Sequence, residues 1–166
     1  MAIDKIQSES INLADTFAFT GTVTGAGGVN TPAFSAYMSS NQSIANTTAT
    51  TLAFNAENFD VGSDFNTSTY KWTVPETAKY LINVRIAFEG TGDFAMYWSI
   101  VKDGVGDMFS LNMAHRDTND GIAGCVIKDL SANDVYYVQA YQASGGALNA
   151  IGGNQLSEFS AFKLIE

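Results

Sequence analysis

The chain is poor in the residues that do chemistry. It holds one cysteine, one histidine, and only 8 lysines and arginines against 17 aspartates and glutamates. A single cysteine, Cys125, forms no internal disulfide, and its place between Ile122 and Ile127 in a small apolar run suits core packing. A single histidine, His115, builds no histidine-rich metal centre. Alternation on a strand would send its neighbours Arg116 and Asp117 to opposite faces. The formal charge of −9 opposes a phosphate backbone and argues against nucleic acid as a partner. No stretch approaches a membrane span, so membrane insertion is not expected. Residues 1–10 lack the apolar centre of a signal peptide, so synthesis in a cytoplasm without the usual export signal is expected. The glycines of 20–28 and 144–153 match neither phosphate-loop nor dinucleotide spacing, and no lysine follows them. No nucleophile–base pair and no paired carboxylates stand out. The expectation is a non-enzymatic protein with no catalytic residue and no organic cofactor.

What the chain does have is β-strand pattern. Its 166 residues suit one domain with a real core, and apolar residues make up 46%. Fifteen glycines and eleven phenylalanines among many Thr, Ser and Asn point to an all-β protein with frequent turns. Tyr70, Trp72 and Val74 alternate with polar residues up to Pro75. Tyr80, Ile82, Val84, Ile86 and Phe88 then alternate again, which reads as antiparallel strands with one buried face. Strands are expected near 33–38, 51–56, 69–74, 79–88, 94–102, 108–114, 122–128, 134–142 and 157–165. Tight turns are expected at 103–106 and 131–134. Phe94, Met96 and Trp98 share a face and are expected in the core, although 93–98 and 145–149 also qualify as ligand-contacting tips.

Two segments break the one-sided pattern. In residues 135–141, Val135, Tyr137 and Tyr141 lie on one face and Tyr136, Val138 and Ala140 on the other. A strand apolar on both faces is either covered on both sides or packed on another subunit. A subunit interface through Val135, Tyr136, Val138 and Tyr141 is the expectation. Residues 1–31 scatter Ile11, Leu13, Phe17 and Phe19 among polar residues and end in a Gly/Thr-rich run. They read as an extended docking arm with a hinge, or alternatively as a first strand of the same domain. Asp117 and Asp120 are weak candidates for a Ca²⁺ site, but 117–121 lacks the ligand order of an EF-hand loop.

Residues 32–166 resemble the C1q/TNF-like trimeric jelly roll. Pro32-Ala-Phe-Ser-Ala36 is similar to the opening strand of that family, and Thr51-Leu-Ala-Phe-Asn-Ala-Glu-Asn58 to its second. Trp72-Thr-Val-Pro-Glu-Thr-Ala-Lys-Tyr80 resembles its aromatic-x-x-Pro-x-x-Gly-x-Tyr turn. Val101-Lys-Asp-Gly104, Leu130-Ser-Ala-Asn-Asp-Val-Tyr136 and Ser157-Glu-Phe-Ser-Ala-Phe-Lys-Leu164 follow in the family's order. Ala78, Asn133 and Ala161 stand where glycine is customary. The resemblance implies a jelly-roll β-sandwich that assembles as a homotrimer. The arm from Ser10 to Ala26 resembles N-terminal segments of tailed-phage structural proteins. Together these imply a virion protein assembled in a host cytoplasm, a knob anchored to other virion proteins through Ile11, Leu13, Phe17 and Phe19. A capsid decoration or short head fibre fits an arm that spans at most about 100 Å fully extended. The alternatives are a tail-fibre or vertex module that recognises a host-surface glycan or protein, and a bacterial C1q-like adhesin.

Overall fold

The computed structural model describes residues 31–90, 92–115, 121–153 and 156–164. Thirteen strands run in chain order through them. The first half holds β1 (Ala33–Tyr37), β2 (Gln42–Ile44), β3 (Thr50–Thr51), β4 (Ala56–Asp60), β5 (Phe65–Asn66) and β6 (Lys71–Thr73). The second holds β7 (Ala78–Ala87), β8 (Phe94–Lys102), β9 (Gly106–His115), β10 (Gly121–Leu130), β11 (Val135–Gln142), β12 (Leu148–Ala150) and β13 (Glu158–Lys163). A five-stranded sheet in the order β10-β7-β13-β1-β4 faces a second sheet in the order β5-β6-β11-β8-β9, to which β3 adds beside β11. Every named strand pair is antiparallel, and β12 and β2 form a small ribbon of their own. This is an all-β jelly-roll sandwich.

Period-two alternation explains the core. In β7, Tyr80, Ile82, Val84 and Ile86 are buried while Leu81, Asn83 and Arg85 turn outward. In β8, Phe94, Met96, Trp98 and Ile100 are buried as their spacing predicts. The inner faces of the two sheets meet in an aromatic cluster: Phe34 stacks on Phe65 at 5.0 Å and meets Phe159 edge-on at 5.1 Å, while Trp72 meets Tyr80 at 5.2 Å. Such aromatic geometry adds to area burial and fixes the distance between sheets.

One expected strand is two. The 51–56 run divides into β3 in the six-stranded sheet and β4 in the five-stranded one, because the chain changes sheets between them. Leu52 and Phe54 are fully buried along the crossing. The Gln42 side chain supplies the ladder partners lost there, donating Nε2–H to the Thr51 carbonyl at 2.9 Å and accepting the Ala53 N–H at 2.8 Å. The glycine replacements are equally local. Asn133 adopts the left-handed conformation (φ 69°) that glycine takes cheaply and asparagine tolerates. Ala78 and Ala161 sit inside strands, where a Cβ costs nothing.

Candidate functional site

Val138 and Tyr136, expected at a subunit interface, instead point into the sandwich of their own chain, with exposures of 0% and 3%. The six-stranded sheet has β11 at its centre, so one of its faces is the core and only the other is outward. Val135 and Tyr141 do lie on that outward face and are half-buried. Cys125, expected in the core, is exposed, because β10 is an edge strand whose odd-numbered residues face away from the second sheet.

The outward face of the five-stranded sheet is the more informative surface. The strand register lines up its side chains in rows. Ile127, Leu81, Phe162 and Ala33 form one row; Cys125, Asn83, Ser160 and Ser35 the next; Ala123, Arg85, Glu158 and Tyr37 the third. Phe59 and Ile127 at the two sides of this face are about half exposed, at 49% and 56%. Its polar groups are largely satisfied within the chain. Glu158 accepts from Ser35 Oγ at 2.8 Å and from Arg85 at 3.5 Å, and Asn58 donates to Ser35 at 3.0 Å. An open depression of about 430 Å³ lies here, lined by Asn83, Arg85, Cys125, Glu158 and Ser160 among others.

The loops are braced from the core. Gln142, fully buried, donates to the Ile44 carbonyl at 3.0 Å and the Gly146 carbonyl at 2.8 Å and accepts the Ser144 N–H at 2.7 Å. Glu89 accepts from Asn41 at 2.6 Å and from Asn149 at 2.8 Å. The Asn149 amide, a candidate ligand contact in the sequence, is thereby committed to an internal bond.

Acidic side chains are likewise engaged. Asp103 pairs with Lys71 at 2.6 Å and Asp134 with Lys102 at 2.7 Å. The Lys102 hydrogen bond holds the Asp134 carboxyl below its ordinary value, against a smaller opposing effect of burial. Burial, then repulsion from Asp134 and the hydrogen bond the Tyr136 hydroxyl makes to Asp134 at 3.3 Å, push the Tyr136 phenol up to about 12. Both shifts come from a structural network under the 131–134 turn. Among the described residues, no three of His, Cys, Asp and Glu converge to hold a metal. Asp117 and Asp120, and the arm residues Ile11, Leu13, Phe17 and Phe19, lie outside the described residues.

Against this geometry, no family model matches the chain, and no curated protein matches it. Solved structures do. The Eiger TNF of S. frugiperda superimposes with a TM-score of 0.64 at 15% identity, covering 80% of this chain and 91% of that one. Murine APRIL at pH 5.0 gives 0.62 at 14% identity, over 80% of this chain and 100% of the other. The globular domain of the zebrafish complement 1qA protein gives 0.55 at 16% identity, over 80% and 96%. At these identities the likeness is one of fold, and it is the C1q/TNF-like jelly roll.

Proposed function

We propose that the chain is a non-enzymatic structural protein of a tailed-phage virion, a homotrimeric jelly-roll knob anchored by residues 1–31. Its proposed position is that of a capsid decoration or short head fibre. The supporting observation is the outward face of the five-stranded sheet. A face that carries half-exposed Phe59 and Ile127 gains from being covered, at ~25 cal/mol per Å² of apolar area. Burying Arg85 and Glu158 with it costs less than usual, since Glu158 already bonds to Arg85 and to the buried Ser35. The two exposed apolar residues stand on opposite sides of the face, Phe59 on β4 and Ile127 on β10. A head-to-tail contact joins one side to the other, and a threefold rotation closes such contacts into a ring rather than a filament. The closing strand β13 lies mid-face. Three arms on one ring then dock together, each raising the effective concentration of the others.

The test has two readings. Light scattering on the purified chain should give three times the monomer mass. Quantitative mass spectrometry of purified particles should find the protein in hundreds of copies, and Phe17→Ser with Phe19→Ser should leave a trimer that no longer joins them. A monomer in solution would overturn the knob; absence from particles would overturn the virion assignment.

A further inference from the structure

The outward face of the six-stranded sheet carries a strip of tyrosines that the trimeric reading leaves unused. Tyr137, Gln139 and Tyr141 of β11 stand beside Val101, Ser99 and Tyr97 of β8 in register, and Ser110 and Asn112 of β9 extend the last two rows. The Tyr97 and Tyr141 rings stack at 4.8 Å and 14°. Lys71 Nζ stands 5.4 Å from the Tyr137 ring centroid. Ser99 and Val101 share this face yet are only 1% and 5% exposed, so the larger neighbours lie over them. What meets solvent is therefore aromatic ring, amide and hydroxyl: half-buried Tyr97, Tyr137, Tyr141 and Gln139, with exposed Ser110 and Asn112.

The charges around the strip narrow the ligand. Lys71 is offset by Asp103, and Asp107, exposed on β9, stands opposite Val101 in the row of Tyr137. An anionic ligand would meet Asp107 and a chain of net charge −9. A purely apolar ligand would strip water from Gln139, Asn112 and Ser110 without replacing their hydrogen bonds. A neutral ligand with apolar ring faces and many hydroxyls meets both demands, since tyrosine offers a flat apolar ring with a polar tip. The Tyr97 hydroxyl, a phenol with an ordinary value of about 10, is protonated at neutral pH and able to donate.

We infer that the strip formed by Tyr97, Tyr137, Gln139 and Tyr141 is a binding surface for a neutral hexopyranose chain, stacking on the rings and hydrogen-bonding to the amides. The surface lies on the sheet opposite the proposed subunit contact, so each copy in a trimer presents its own strip. It stands apart from the virion reading and is tested separately from it.

The experiment is saturation-transfer NMR on the full chain with maltohexaose, cellohexaose and N-acetylchitohexaose as probes. Transfer is expected to at least one of the three. Tyr141→Ala should weaken that binding at least tenfold, and so should Gln139→Glu, which keeps the strand's packing and sets a carboxylate beside the rings. Val61→Asp, at an exposed position just after β4, should leave it unchanged. Absence of transfer to all three probes at millimolar concentration would overturn the inference. So would transfer that survives both Tyr141→Ala and Gln139→Glu in variants with an unchanged far-ultraviolet circular dichroism spectrum and a cooperative melting transition.

Discussion

The Trp98 indole N–H donates to the Ile122 carbonyl at 3.2 Å, joining β8 of one sheet to β10 of the other through the core. Both residues are buried, Trp98 at 0% and Ile122 at 1% exposure. The bond therefore pins the separation of the sheets where β9 and β10 leave one for the other. Trp98→Phe removes the donor to the Ile122 carbonyl and opens a cavity. A loss of about 2–4 kcal/mol is expected in chemical denaturation. A loss under about 1 kcal/mol would mean that water or a shifted neighbour replaces the indole.

Two glycines should respond differently to alanine. A Cβ on Gly124 would meet Leu111 Cδ2 at 2.9 Å and the Trp98 ring at 3.2 Å. The leucine methyl can swing aside, so Gly124→Ala should cost roughly 1 kcal/mol. At Gly152 the same atom would lie 2.3 Å from the Ser40 carbonyl carbon, which is backbone and cannot move alone. Gly152→Ala should lower the melting temperature several times further, as thermal unfolding of the two variants side by side would show.

The Tyr136 network sets a pH dependence. A phenol raised from 10.0 to about 12 holds its proton in the folded chain after the unfolded chain has released it. Its contribution is complete below pH 10 and is lost as pH rises towards 12. It amounts to roughly 2–3 kcal/mol. Tyr136→Phe should flatten the fall in stability across that window. Asp134 acts at the other end. Its lowered carboxyl stabilises the fold above its ordinary value of 3.8 and stops doing so as pH falls below it. An equally steep alkaline fall in Tyr136→Phe would assign the effect to Tyr80 and Tyr97, whose phenols burial also raises.

A charge should act differently on the two sheets. Val138→Asp places a carboxylate in the core and should unfold the monomer. Ile127→Asp, at a half-exposed position, should leave the circular dichroism spectrum unchanged while reducing the proposed trimer to monomers in sedimentation. An intact trimer in Ile127→Asp would remove the five-stranded face from the interface.

How much was legible follows from whether a feature is local. The alternation through Tyr80 to Phe88 and through Phe94 to Trp98 marked β7 and β8, since side-chain period is a property of one strand. The 51–56 run also alternates, yet a change of sheet is set by which strands lie beside it, and β11 and β1 are distant in sequence. The short β2, β5 and β12 were missed because two or three residues carry no period. In residues 135–141 both faces look apolar, and nothing nearby says which is the core.

The sequence by itself determined the all-β class, the inner faces of β7 and β8 and the turns, because each rests on neighbours a few residues apart. The tertiary structure alone decided which strands are edges and hence that Cys125 and Ile127 face outward. It turned Val138 and Tyr136 inward, and it assembled Tyr97, Tyr137 and Tyr141 into one strip. The reason is that burial on a sheet face depends on strand order and on the opposing sheet, and both are settled by contacts between residues far apart in the chain.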